Sequence, residues 1–220
     1  MTCGPQTQFG SDVVNVKTIV DAGKITTSHI SDVAPHGFVA RPSLRSLWAG
    51  ARLSGPAFTV KVAPGDNASL MTALETVERD EVLVVDGAGF TERALWGAIM
   101  TYAAMRRGVA GLVVDGAVRD VEEIRTLQFP VFAIAHTPVG PYNKVSGALR
   151  TKITCGGVIV RPGDLVYADD DGVVFLPKLE VAELLRAAQQ RAQREEEVVQ
   201  GLSEGESLTG LLPLLRKGTV

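Results

Sequence analysis

VLVVDGAGFTERALWGAIMTYAAMRRGVAGLVVDGAVRD, residues 82–120, carries the reading that decides the fold. Residues 82–86 and 111–115 are short continuous apolar runs, the pattern of strands buried on both faces. Between them a helix is expected from about Leu95 to Arg107, with Trp96, Ile99, Met100, Ala103 and Ala104 on one face and Gly108 as its stop. A strand–helix–strand unit crosses over right-handed almost without exception, so the two strands should be parallel. VVDGA occurs at 84–88 and again at 113–117. Parallel strands bring both Asp-Gly-Ala turns to the carboxyl edge of the sheet, where open α/β sheets hold their ligands. The echo is too short to indicate a duplicated domain.

Working outward, residues 55–62 read as a strand that enters a turn at Pro64-Gly65. Asp66 or Asn67 would then cap a helix running to about Val77. Beyond residue 130 the texture changes. Residues 130–134, 151–154, 157–161, 164–168 and 172–176 read as short strands of a second β layer, with turns at Gly156-Gly157, Pro162-Gly163 and Asp171-Gly172. A polar helix is expected from about Leu179 to Gly201, its mixed charges (Arg191, Arg194, Glu195, Glu196, Glu197) marking a solvated face. No linker-like tract divides the chain, so residues 1–220 are expected to form a single α/β domain.

The bulk properties narrow the function. A net charge of −3 argues against a general affinity for nucleic acid, and no Lys/Arg cluster with interleaved aromatics stands out. The two cysteines, Cys3 and Cys155, support neither a disulfide framework nor a cysteine metal site. The first thirty residues lack a basic start and an apolar h-region, and no apolar run is long enough to span a membrane. The expected location is the cytoplasm.

Three stretches could carry chemistry. In Asp115-Gly116-Ala117-Val118-Arg119-Asp120, the Arg119 guanidinium suits a carboxylate and Asp120 offers a hard oxygen ligand for Mg²⁺ or Mn²⁺. The ordinary alternative is that Asp120 caps a helix starting at Val121. In Arg93 to Met100, a helix start near the end of the first strand would aim free N–H groups at a ligand, with Gly97 permitting close backbone approach. The alternative for Gly97 is helix packing. In Pro64-Gly65-Asp66-Asn67, Asn67 could bond a substrate oxygen or serve as a plain N-cap. His29, His36 and His136 have no metal-site spacing, and neither a P-loop nor GxGxxG is present.

Together PGDNASLMTALE (64–75), VLVVDGAGFTERALWGAIM (82–100), GVAGLVVDGAVRD (108–120), FPVFAIAHTP (129–138) and GGVIVRPGDLVYADDDGVVFLP (156–177) resemble the RraA-like family. That family includes the class II 4-hydroxy-4-methyl-2-oxoglutarate aldolases and the regulator of ribonuclease activity A. The resemblance implies a three-layer β/β/α swivelling domain with a parallel central sheet, assembled as a trimer or a pair of trimers. It assigns Arg119 to the substrate carboxylate and Asp120 to a divalent metal, Mg²⁺ or Mn²⁺. Gly97, Ala98, Ile99 and Met100 would form the substrate loop and Asn67 would contact the substrate; no lysine lies in the matching segments, and Lys144 is only a candidate contact. Glu195 of a neighbouring subunit, or Glu196, would approach the metal. One departure is Ala98, which stands where the aldolases usually carry an acidic residue.

The implied reaction is metal-assisted cleavage of a 4-hydroxy-2-oxo acid to pyruvate, with oxaloacetate decarboxylation through the same enolate. A non-catalytic regulator of ribonuclease activity is the alternative, but that branch lacks the Asp after its Arg, which this chain keeps. A menaquinone methyltransferase is disfavoured by the missing glycine-rich loop.

Overall fold

The computed structural model describes residues 25–145 and 147–216. The expectations about Cys3 and about a leader fall mainly outside them. Four strands form the parallel centre of one sheet: β2 (Leu53–Lys61), β3 (Val82–Trp96), β4 (Gly111–Val118) and β5 (Val131–His136). A two-residue strand β1 (Arg45–Ser46) borders β5 antiparallel. On the other side, β2 changes partner halfway. Ala57–Lys61 pair with β3, whereas Leu53–Pro56 pair antiparallel with β9 (Leu165–Asp169), which is in turn joined to β10 (Gly172–Leu176).

Side-chain alternation along the strands builds three layers. Leu83, Val85, Leu112, Val114 and Val131 face helices α2 (Ala68–Thr76), α3 (Ala98–Arg107) and α4 (Val121–Thr126), meeting Leu70, Ala104 and Ile124. Val82, Val84, Val113 and Phe132 face the opposite way, onto Ile153, Cys155, Val158 and Val160 of the hairpin β7 (Ile153–Cys155) and β8 (Val158–Val160). Gly156 and Gly157 turn that hairpin with φ of 57° and 84°, the left-handed pair that a two-residue turn requires. The outer face of β9–β10 is covered by α5 (Val181–Ser203) through Val181, Leu184, Leu185 and Ala188, which explains why every residue of β9 is buried. A short helix α1 (Thr27–Ser31), a single 3-10 turn (His36–Phe38), the strand β6 (Ala148–Leu149) on β2, and α6 (Leu208–Arg216) complete the elements.

The α/β class, the parallel centre and the β/β/α layering agree with expectation. Two boundaries differ. Residues 130–134 belong to the parallel centre rather than to the second layer, because β5 pairs with β4 through Leu112 and Val131. The helix expected from Leu95 begins at Ala98, since β3 continues to Trp96, which pairs with Val118. Between Asp86 and Trp96 the register slips three times, so ten residues of β3 run beside only three of β4. The repeated glycines explain how this excursion folds back. A Cβ on Gly87 or on Gly116 would lie 2.7 or 2.8 Å from Leu95 Cδ1, so both must lack one for Leu95 to tuck between the strands.

Candidate functional site

Each of the four parallel strands ends at the same edge, and the residues after each contribute to one cleft of about 290 Å³. Asn67 follows β2, Gly97, Ile99 and Met100 follow β3, Arg119 and Asp120 follow β4, and Pro141 and Asn143 follow β5. Six residues singled out from the sequence therefore meet here. Ala98 takes part through its backbone, its side chain being buried.

Asp120 occupies the N-cap position of α4, but its side chain does not cap that helix. The backbone adopts the left-handed conformation (φ 57°, ψ 40°), which Asp and Asn tolerate better than other side chains. That turn sends Oδ2 across to the neighbouring helix, where it accepts a 3.0 Å hydrogen bond from Ala98 N–H, the first residue of α3. Arg119 Nε lies 3.6 Å from the same oxygen, and both side chains are about two-fifths exposed. An ion pair so exposed contributes at most about 1 kcal/mol, so stability alone does not account for the arrangement.

Gly97 is required for this approach. A Cβ there would stand 2.5 Å from Asp120 Oδ2 and 3.0 Å from Arg119 Cγ. The expected close approach at Gly97 is thus made by the Arg-Asp pair itself. The backbone is held from both sides: Arg119 N–H donates to Trp96 O at 2.9 Å, and Thr101 N–H donates to Gly97 O at 3.1 Å. Behind them the buried Trp96 Nε1 donates to Thr101 Oγ1 at 2.8 Å, which fixes the first turn of α3. With Ala98 N–H taken by Asp120, those of Ile99 and Met100 have no acceptor within the helix, and both residues line the cleft. A helix start with unspent donors beside a guanidinium is suited to a carboxylate.

Asn67 occupies the N-cap position of α2 without capping it through its side chain. Its Nδ2 donates to Leu95 O at 3.2 Å and to Met100 Sδ at 3.5 Å, which orients the amide. Its Oδ1 is buried and accepts nothing. A buried acceptor without a donor costs about 1–3 kcal/mol, and here it is presented by a residue of the cleft wall. A ligand hydroxyl would satisfy it.

The capping work falls to Asp66, one of the two residues the sequence offers for it. Its Oδ1 accepts from Ala68 N–H at 2.9 Å, and its Oδ2 accepts from the N–H groups of Lys144 and Val145 at 2.7 and 2.9 Å. Burial opposes the charge, but those three N–H donors and the Lys144 ammonium outweigh it and hold the carboxyl below its usual range. The 137–145 loop is clasped further by Tyr142 N–H to Gly65 O at 2.9 Å and Arg93 to Gly140 O at 2.8 Å. Arg93 also stacks on the Tyr142 ring, 3.9 Å from its centre. Lys144 serves this clasp through its backbone; the loop residues that line the cleft are Pro141 and Asn143. Pro141, Asn143 and Met71 carry no signal in the sequence, since only the folded chain brings them to the cleft.

Glu195 lies elsewhere on the chain. It pairs with His29 Nε2 at 2.9 Å and with Arg191 at 3.1 Å, on a surface groove that also includes Glu196 and shares no residue with the cleft. Among the described residues no group of three or more His, Cys, Asp or Glu could enclose a metal ion. A mostly hydrated ion asks for less. Mg²⁺ commonly keeps several waters and takes one or two carboxylates. Both contacts of the Asp120 carboxylate fall on Oδ2, which leaves Oδ1 for such an ion. The donor set fits a single-carboxylate site.

This fold and cleft define a member of the RraA-like (Aldolase/RraA) family, whose profile matches residues 18–175; the chain belongs to that family. A 4-hydroxy-4-methyl-2-oxoglutarate aldolase of Thermus thermophilus is 36% identical over 152 residues, covering 69% of this chain and 92% of its own. A solved structure of an uncharacterized Pseudomonas syringae protein aligns with a TM-score of 0.78 at 26% identity, covering 89% of this chain and 96% of that one. The structure described as the RNA-processing inhibitor RraA from Thermus thermophilus aligns with a TM-score of 0.64 at 35% identity, covering 70% and 93%. Among the described residues no helix is long and apolar enough to cross a membrane.

Proposed function

We propose that the chain is a divalent-metal-dependent aldolase that cleaves a 4-hydroxy-2-oxo acid to pyruvate and a second carbonyl compound, with oxaloacetate decarboxylation as a side activity. The observation that carries this reading is the Arg119-Asp120 pair, turned away from its own helix and onto the start of α3. Arg119 and the N–H groups of Ile99 and Met100 bind the substrate carboxylate. Asn67 Oδ1 accepts from the substrate hydroxyl and so selects a hydroxylated chain. Asp120 holds Mg²⁺ or Mn²⁺, which when bound supplies Lewis-acid stabilisation of the charge developing on the 2-oxo oxygen. The buried Trp96–Thr101 pair keeps the helix start rigid, so these donors are in place before the substrate arrives. Among the described residues no lysine lines the cleft, so a Schiff base has no candidate there.

A second copy of the chain is proposed to complete the site. Ile99, Tyr102 and Met105 leave an exposed apolar face on α3 beside the cleft, of the kind that marks an interaction surface. In a trimer or hexamer, Glu195 of a neighbour would reach the metal, after exchanging its present His29 and Arg191 partners. The regulator reading is favoured by the Thermus thermophilus inhibitor structure. A pyruvate-release assay separates the two. Turnover of oxaloacetate or a 4-hydroxy-2-oxo acid should require Mn²⁺ and fall at least about 100-fold in Arg119→Ala, roughly the loss of one oxyanion-type contact. Absent turnover, or metal-independent turnover unchanged by Arg119→Ala or Asp120→Ala, would remove the enzyme reading.

A further inference from the structure

The geometry points to a substrate whose far half is apolar and uncharged: a 4-hydroxy-2-oxo acid with alkyl groups on C4 and a single carboxylate. This rests on the aldolase reading and adds the substrate class. Arg119 is the only cation lining the cleft among the described residues. Arg93, which precedes the lining residue Ala94, is spent on Gly140 O and on the Tyr142 ring. The Lys144 charge acts on Asp66, and Lys144 is not part of the lining. Away from the Arg-Asp pair the walls carry two uncharged amides, Asn67 and Asn143, and are otherwise apolar, with Met71, Ala94, Met100 and Pro141 among them. Ala98, buried at the helix start, adds neither a charge nor a donor side chain.

Within one chain's described residues, a second carboxylate on C4 would therefore find no cation beyond Arg119, only uncharged amides beside thioethers and alkyl groups. A methyl group in the same place gains apolar contact instead. Met71 is half-exposed and unbranched, so it can close over tails of differing length. The chemistry balances without a co-reactant. The C3–C4 bond breaks, its electron pair stays on the pyruvate half, and C4 becomes a carbonyl. In net terms the C4 hydroxyl proton ends on C3.

Two substrates that differ only at one C4 substituent make the test: 4-hydroxy-4-methyl-2-oxopentanoate, with a methyl, and 4-hydroxy-4-methyl-2-oxoglutarate, with a carboxylate. With the full chain and Mn²⁺, kcat/KM should favour the methyl compound at least about tenfold. Met71→Arg, which places a cation on the wall, should shrink that preference at least about tenfold. In direct binding without turnover, 2-oxopentanoate should displace 2-oxoglutarate. Equal or better use of the dicarboxylate, with both substrates cleaved, overturns this inference and leaves the aldolase reading standing. Failure to release pyruvate from either substrate or from oxaloacetate overturns both.

Discussion

Gly97 and Asp120 show how little room the site leaves at the scale of single residues. A methyl group on Gly97 would fall 2.5 Å from Asp120 Oδ2, so Gly97→Ala must push the Arg-Asp turn away from α3. Overpacking of this kind costs about 1–3 kcal/mol. A chain of this size loses about 2–4 °C in Tm per kcal/mol, so thermal unfolding of Gly97→Ala should shift down by several degrees. An unchanged Tm with full activity would mean that the turn does not need the approach. In the sequence, Asp120 reads more readily as a helix cap than as a metal ligand. The choice between them is not legible there, because it depends on a left-handed backbone and on an N–H group contributed by a residue 22 positions earlier. Asn67 presents the same lesson. Its type and position after a turn suggest a cap, whereas the orphaned Oδ1 is visible only once Leu95 O and Met100 Sδ have claimed the other end of the amide.

Among the elements, the 137–145 loop depends most on one side chain. Asp66 gathers N–H groups from the loop and from α2. Burial works against its charge, but those bonds and Lys144 hold its carboxyl below the usual range. A depressed carboxyl stabilises the fold above its unfolded value, near 3.8, and loses that contribution as the pH falls through the lower folded value. Protection of the loop amides against exchange should therefore fall below about pH 3.8, and Asp66→Asn should flatten that acid limb. Asp66→Ala, which orphans three donors, should cost about 2–4 kcal/mol in denaturant unfolding. An acid limb that is the same in Asp66→Asn would assign the loop's stability to other contacts. The central strands are legible because strands buried on both faces must be continuous apolar runs. Leu95 and Trp96 mislead for the same reason, since an apolar pair continues a helical face as well as it ends a strand. The place of β5 is hidden because the six-residue α4 is too short a crossover to announce a parallel neighbour. The clasp at Asp66 joins positions 78 apart and leaves no periodic trace.

Across the whole molecule, the cleft is a product of topology: four parallel strands deliver their following residues to one edge, and the β7–β8 layer and α5 support the sheet from the far side. The exposed apolar face of α3 and the distance in fold between Asp120 and Glu195 make assembly a testable part of the account. Size exclusion should give at least three times the 23.3 kDa of one chain, and a monomer would remove Glu195 from the site. The central claim is that Arg119-Asp120 forms a carboxylate and metal site. It is tested most directly by titrating Mn²⁺ into the protein with pyruvate present and following free Mn²⁺ by electron paramagnetic resonance, for the natural chain and for Asp120→Asn. Asn keeps the left-handed turn and can still accept from Ala98 N–H, so the fold should persist. The account predicts saturable Mn²⁺ binding that weakens at least about tenfold in Asp120→Asn, with Tm within about 2 °C of the natural chain. Equal Mn²⁺ affinity in the two proteins would contradict it.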